Sequence, residues 1–390
     1  MNTVLCTNGL LSKTLAAVRS LGSRGIKTIT SEKTFLHTSG FSKYSSKNIT
    51  YPDPKISPEN FLDWLISTIR KERCDILFPM DDDTMEVVIK YRKELEPIVR
   101  FVAPSSSCYN IAADKGSTIR LAMDRGVPCP RTVALSEQGV PAEDDFLKAT
   151  QSLEYPLVIK PRRSSGSRGI RFVHNRNEFI QTLQTIQRDY PNPIIQEWIP
   201  PGTKYDVCLC YDSEHELVAS FVQKEIRNYP ISRGPSTVHE SVWYPELINL
   251  SVELMKGIPW CGVVDVEYMI DPRNGQPKLM EINPRFWSSL HLSIRSGVDF
   301  PWIMYQMAME QKVEPITEYT VGKKGRALFP GDILHFLSNP ERFRMNPPIW
   351  TTKLPDDIVS IHDPLPTVGF LLSALRYSVD IKSWKFLIKR

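Results

Sequence analysis

Glu267, Glu281, Asn283 and Arg285 stand close together in a stretch that reads as two strands joined by a turn. Val263, Val264 and Val266 are β-branched, and Tyr268 and Ile270 extend the apolar run, as a strand requires. Residues 271–275, Asp-Pro-Arg-Asn-Gly, are turn chemistry: proline presets φ, and Asn-Gly accepts φ > 0. A second strand spans 277–282. Side chains alternate along a strand, so Asp265 and Glu267 share one face, and Glu281 and Asn283 share another. Antiparallel pairing brings Glu267, Glu281 and Asn283 to one end. Two carboxylates and an amide oxygen, with phosphates completing the shell, are the hard oxygen ligands that Mg²⁺ takes. Arg285 can pair with a phosphate oxygen or an anionic intermediate. The plain alternative is a hairpin with solvated acids. Against it, Glu281 follows Lys278-Leu279-Met280 on a half-buried strand, and a buried carboxylate needs a partner.

A second group of residues suits phosphate. YPLVIKP at 155–161 is a strand ending in Lys160, and RRSSGSRGI follows at 162–170. The backbone of Ser164, Ser165, Gly166, Ser167 and Gly169, with the basic side chains around it, can fold over phosphates. The loop is not a Walker A loop, because GxxxxGK[ST] is absent. Many Gly/Ser loops are exposed hairpin tips; the strand-terminal lysine argues otherwise. Residues 223–241, QKEIRNYPISRGPSTVHES, gather Lys224, Arg227 and Arg233 around a turn. Ser236 and Thr237 then read as the start of a helix running to 256. That is either an anion site at a helix N-terminus or a basic surface loop. Asp81, Asp82 and Asp83 follow a strand, and they either meet a substrate ammonium or cap the next helix. Asp206, early in a strand at 204–211, either reaches a ribose hydroxyl or is an exposed hairpin acid.

The elements around these residues alternate. Strands are expected at 2–7, 26–30, 47–51 and 75–80, with helices ending at 22, spanning 58–72 and spanning 83–95. Ser57 is placed as N-cap and Pro58 at the first helical position. Such alternation implies a parallel sheet with helices on both faces, an N-terminal α/β domain over 1–104. Its first turn lacks GxGxxG, so it is no dinucleotide site. Two short helices follow to 126, the second opened by Asp114-Lys115. Strands at 194–199, 204–211 and 216–225 lead towards the hairpin. Residues 311–390 contain two proline-rich stretches and an apolar, basic tail from 370. The tail reads as an amphipathic helix that docks on the body or touches a membrane surface or partner.

A net charge of +4 is too small to argue for nucleic acid. No apolar run approaches the ~20 residues of a membrane helix, and the N-terminus lacks the basic and apolar regions of a signal peptide. The seven cysteines form no CxxC pair, which fits a reducing cytoplasm, the expected location. Cys208 and Cys210 share a strand face and read as core thiols rather than a zinc pair.

Lys115, then Lys160 before its loop, then Gln196-Glu197-Trp198-Ile199, then Glu267, then Glu281-Ile282-Asn283-Pro284-Arg285 together resemble the ATP-grasp superfamily of carboxylate–amine ligases. The chain is similar to the group with carbamoyl phosphate synthase-like and D-aspartate ligase-like members. The resemblance covers residues 1 to 300 and is most specific in VVDVEY…LMEINPR and PLVIKP. It implies an α+β ATP-grasp module of two lobes over 105–310, with a C-terminal segment, 311–390, that it does not place. It implies ATP with one or two Mg²⁺, or Mn²⁺ in their stead. Lys115 and Lys160 would contact phosphates, Lys160 also approaching adenine, and residues 164–169 would form a lid. Gln196 or Glu197 would accept from the adenine amino group, and the backbone of Trp198 and Ile199 would read the purine edge. Asp206 would bind ribose, where many relatives have Glu. Glu267, Glu281 and Asn283 would hold the metal, and Arg285 would steady the transferred phosphate. RNYPISRGPSTV also resembles the RxYPxxGGxST pattern of uncharacterised carboxylate–amine ligases, with Arg233-Gly234-Pro235 in place of the glycine pair. It implies Arg227, Ser236 and Thr237 as contacts to a substrate carboxylate or phosphate.

The implied reaction is amide formation through an acyl phosphate, on an amino-acid-like carboxylate and an amine, in a homodimer. Two rivals stand beside it. A bicarbonate-using carboxylase or other phosphotransferase ranks second, since no biotin-attachment segment occurs. A non-catalytic ATP-binding module ranks third, since the acidic set is complete.

Overall fold

The structure is a computed structural model that describes residues 2–133, 143–164, 166, 168–231 and 234–379. Four parallel strands open the chain: β1 (Thr3–Cys6), β2 (Lys27–Glu32), β3 (Ser45–Thr50) and β4 (Ile76–Phe78), ordered β3-β2-β1-β4. All of β1 is buried, as in a parallel sheet covered on both faces. Its alternate residues serve different cores. Val4 and Cys6 pack with Ala16, Ala17 and Leu21 of the helix Ser12–Ser23, whereas Leu5 packs with Phe61, Leu65 and Ile69 of the helix Pro58–Glu72. Pro58 takes the first helical turn as expected, although the Ser57 hydroxyl makes no capping bond. The helix expected over 83–95 is broken at Tyr91 into Asp82–Lys90 and Arg92–Leu95. Asp81 occupies its N-cap position without a side-chain cap, while the Asp83 carboxylate accepts from the Thr84 N–H of the first turn at 2.9 Å.

The next lobe is an antiparallel sheet of β5 (Thr132–Val133), β6 (Leu157–Lys160), β7 (Arg171–Val173) and β8 (Ile194–Glu197), ordered β5-β8-β6-β7. Phe179, Leu183 and Ile186 of the helix Arg176–Asp189 cover one of its faces.

The largest sheet is antiparallel and holds β9 (Lys204–Tyr211), β10 (Leu217–Asn228), β11 (Ser236–Val242), β12 (Gly262–Ile270), β13 (Pro277–Asn283) and β14 (Lys324–Arg326). Their order is β13-β12-β9-β10-β11-β14. β9 divides two cores: Cys208 and Cys210 face one, Val207 and Leu209 the other, so both thiols are core groups. The helix expected from Thr237 is not there. Residues 236–242 are β11, paired with β10 and β14, and the helix begins only at Pro245 (Pro245–Met255). The second partner of β11, β14, is remote in sequence, and pairing on both edges overrides the local Ser/Thr helix-start signal.

The segment after residue 310 spreads over both domains. β14 extends the large sheet, and the helix Leu365–Val379 seats Gly369 against Phe41, where a Cβ would come within 2.6 Å of the ring. Arg19 grips Asp363 at 2.9 Å and the carbonyl groups of Asp357 and Ile358. Among the described residues no helix is long and apolar enough to cross a membrane.

Candidate active site

Strand register builds the site. Glu281 on β13 lies opposite Glu267 on β12, Glu267 opposite Asp206 on β9, and Asp206 opposite Gln223 on β10. One lateral row across the sheet therefore carries three acids and an amide. Asn283 and Asp265 form the next rung, with the Asn283 amide nitrogen 2.8 Å from Glu267 Oε1 and 3.3 Å from Asp265 Oδ2. The structure brings Glu267, Glu281 and Asn283, the three residues singled out from the sequence, together. Sequence reasoning missed Asp265 as a member, and also Gln223, whose amide nitrogen donates to Asp206 at 2.6 Å. It missed the Lys204–Glu225 ion pair too (3.4 Å). The period-2 spacing of Lys204 and Asp206 was the available signal.

Burial sets the charges here. It pushes Glu267 up to about 8, with the Glu281 charge adding to the effect. Asp206 and Glu225 are each raised to about 7, again chiefly by burial. Burial also acts to raise Glu281, but Lys115 Nζ, 2.9 Å away, and Lys160 outweigh it and hold this carboxyl below its usual range. Burial drags Lys160 down to about 8 against the attraction of Glu281. Such a surplus of buried acid fits a divalent cation with oxygen ligands. The Asn283 amide oxygen is turned towards Arg285 (3.2 Å), and a half-turn about χ2 would direct it to the acids.

A cavity of about 740 Å³ lies between the two antiparallel sheets. Its polar end is made by Lys115, Lys160, Lys204, Asp206, Glu267 and Glu281, with Ser164 beside them. Its apolar end has Val158, Ile170, Phe172 and Met280, and Gln196, Glu197, Trp198 and Ile199 form an edge. Gln196 donates to Thr132 Oγ1 at 2.8 Å, and its buried carbonyl oxygen has no partner among the described residues. The Glu197 carboxylate is already engaged by the Arg131 N–H (2.8 Å) and by Arg273 (3.4 Å). Lys115 Nζ also donates to the Ser164 carbonyl at 2.8 Å, which anchors the start of the basic loop. Gly166 and Gly169 hold φ values of +63° and +76°, where glycine is favoured; Ser165 and Ser167 fall outside the described residues.

Arg285 faces the N-terminal domain. Its Nε lies 2.9 Å from Asp82 and 3.4 Å from Asp81, and Asp81 also pairs with Lys13 at 2.7 Å. Asp83 accepts from the Asn8 amide at 2.8 Å. The cations that meet these aspartates thus come from the protein itself.

Arg227, Ser236 and Thr237 do gather, but not at the cavity. Arg227 Nη2 lies 3.0 Å from Asp332 Oδ2, and Nη1 donates to the Pro347 carbonyl. Thr237 Oγ1 lies 3.4 Å from the other Asp332 oxygen, and the Ser236 hydroxyl donates to the Val238 carbonyl at 3.0 Å. The helix N-terminus expected to join them is a strand, and the Arg227 charge is spent on a buried internal ion pair. Arg233 falls outside the described residues.

Two antiparallel sheets thus enclose one cavity, to which one sheet offers lysine and the other a row of acids. Residues 112–289 match the family model of the ATP-grasp domain. Acetyl-CoA carboxylase of Schizosaccharomyces pombe is 23% identical over 278 residues, an alignment covering 63% of this chain and 12% of the relative. The biotin carboxylase of Campylobacter jejuni, solved as its β,γ-ATP complex, superposes with a TM-score of 0.68 at 18% identity, covering 82% of this chain and 74% of that one. N5-carboxyaminoimidazole synthetase of Staphylococcus aureus gives 0.63 at 15% identity, covering 83% and 80%. Residues 112–289 of the chain are thus an ATP-grasp domain.

Proposed function

We propose that the chain uses ATP to activate a small oxygen acid as its acyl phosphate and passes the acyl group to a nitrogen nucleophile, releasing ADP and phosphate. The observation that carries this reading is the row Glu281–Glu267–Asp206 facing Lys115 and Lys160 across one cavity. Lys115, Lys160 and Lys204 bind the phosphates, and the unpaired Gln196 oxygen accepts from the adenine amino group. The apolar end takes the base. Glu267, Glu281 and Asn283 hold Mg²⁺, which when bound offsets the charge of the phosphoryl group in transfer. No side-chain nucleophile is required. Arg285, fixed by Asp81 and Asp82, steadies the acyl phosphate beside Asn283.

A smaller cavity of about 270 Å³ shares Lys115 and Ser164 with the first. Acids (Asp82, Asp83, Glu86) and bases (Lys55, Arg163) both line it. Arg285 already pairs with Asp82 and Lys33 lies near Asp83, so Glu86 is the acid left to meet an ammonium group, and with Lys55 and Arg163 it supports amide ligation of an amino-acid-like carboxylate. The names of the solved neighbours favour a second reading, in which bicarbonate is the acid that is activated. One assay separates them: Mg²⁺-dependent ADP release, with mass detection of products, over paired pools of amino acids and amines and over bicarbonate. A condensed product that needs both an amino acid and an amine supports ligation. Turnover stimulated by bicarbonate alone supports carboxylation. ATP bound tightly without turnover under any condition overturns both and leaves a binding module.

A further inference from the structure

Away from the nucleotide cavity, three side chains of metal-ligand type converge where the C-terminal segment meets the large sheet. His239 comes from β11, His291 from the helix Leu290–Ser296 and Asp357 from the chain beyond β14. One donor atom from each lies within 4.8 Å of the other two. His239 is 1% exposed and Asp357 2%, and polar groups so buried are normally hydrogen-bonded. These are not. His239 Nε2, both ring nitrogens of His291 and both carboxylate oxygens of Asp357 make no hydrogen bond to the described residues. His291 Nδ1 stands 2.7 Å from Asp357 Oδ1, yet off the direction a hydrogen bond needs. Ser12 stands close enough to Asp357 to act as a hydrogen-bonding neighbour, but the direction of its hydroxyl fits the Ser288 carbonyl, 3.0 Å away, and leaves both Asp357 oxygens without a bond of good geometry.

The surroundings keep room for something between the rings. A Cβ on Gly325 of β14 would come 2.5 Å from His291 Nε2 and 3.1 Å from His239 Nε2, so glycine leaves open the space both imidazoles face. His291 and Asp357 also line a groove of about 640 Å³, which gives a path from solvent.

We propose that His239, His291 and Asp357 form a transition-metal site, of the Zn²⁺ class, that ties the C-terminal segment to the large sheet and to the helix Leu290–Ser296. Two imidazole nitrogens and a carboxylate are a zinc donor set, with water in the fourth position; Mg²⁺ prefers oxygen alone. Zinc ligands at ~2.0–2.1 Å stand roughly 3.4 Å apart. The donors, within 4.8 Å of one another, would have to draw together to that spacing on binding. The site is thus distinct in chemistry and position from the acidic row of the nucleotide cavity.

The test uses the full-length protein, stripped with a chelator and titrated with Co²⁺. Cobalt absorbs strongly in a tetrahedral nitrogen–oxygen site and weakly among six oxygens. One equivalent of Co²⁺ is expected to give the strong bands, to yield to Zn²⁺ and to survive excess Mg²⁺. His239→Ala and Asp357→Asn, checked for folding by circular dichroism, are expected to weaken Co²⁺ binding about 100-fold or more, since loss of even an outer-shell partner costs ~10–100-fold. Glu281→Gln is expected to keep the bands. Weak bands or none in the wild type, or displacement by Mg²⁺, would overturn the proposal without recourse to a variant. Bands of unchanged affinity in His239→Ala and Asp357→Asn would overturn it as well.

Discussion

Glu281 is the acid of the row that its neighbours hold ionised, through Lys115 and Lys160. Glu281→Gln removes a proposed metal ligand and the counter-charge of both lysines at once. Mg²⁺-dependent ADP release is expected to fall at least ~100-fold, the scale seen when one electrostatic group is removed from an active site, while the thermal melt stays cooperative. Wild-type turnover in that variant would remove Glu281 from the metal set. Glu267 behaves differently, because its value in the fold lies above that in the unfolded chain. The metal-free protein therefore takes up a proton there on folding. The stabilisation linked to that proton is full below the unfolded value and is lost as pH rises through about 8. Mg²⁺ must displace that proton, so its binding is expected to release protons and to tighten between pH 6 and 8. Lys160 has the opposite sense: it sits at about 8, below its unfolded value, and phosphates draw a proton onto it. At pH 8, ATP added without Mg²⁺ should take protons up. Calorimetry in two buffers of different ionisation enthalpy reads both signs, and Mg²⁺ binding without proton release would exclude Glu267 as a ligand.

Among elements, β11 is where local reading and structure part. Its Thr237, and Arg227 of the paired β10, meet Asp332, and Arg227 with Asp332 makes a nearly fully buried ion pair. Arg227→Ala leaves Asp332 without its charge partner and is expected to cost ~3–5 kcal/mol in denaturant unfolding. Arg227→Met with Asp332→Leu should recover most of that. A raised KM for the acceptor with stability unchanged would instead restore Arg227 to the substrate. The hairpin of β12 and β13, the strand ending at Lys160 and the helix opened by Asp114-Lys115 were legible because their signals are local: β-branched runs, Asn-Gly turn chemistry, and an aspartate whose side chain accepts from the Ser117 N–H. β11 was not legible, because its strand character depends on β14, a short segment with little intrinsic strand character whose place is set from afar. Lys204, Gln223 and Glu225 were half legible. Alternation places their side chains, but only the order β12-β9-β10 puts them beside Glu267. The His239–His291–Asp357 group joins three separate elements, so no spacing within the chain announces it.

At the scale of the whole molecule, residues beyond 310 are an integral part of the body. They supply the outer strand of the large sheet, Asp332 for Arg227 and Asp363 for Arg19. A chain ended at residue 310 would expose the β11 edge and strand two arginines, so it is expected to aggregate or to lose cooperative unfolding. A soluble truncated protein with the full-length melting temperature would contradict this. The acidic row has a kinetic consequence as well. Its rungs join residues far apart in the chain, as Glu267 and Asp206 show, and a slip of one residue would turn an acid to the wrong face. Non-local pairing of this kind forms slowly. The protein can therefore regain its helices while still unable to hold a nucleotide. During refolding, far-ultraviolet dichroism should recover before a fluorescent ATP analogue binds, and nucleotide capture then reports that the last strand has found its register.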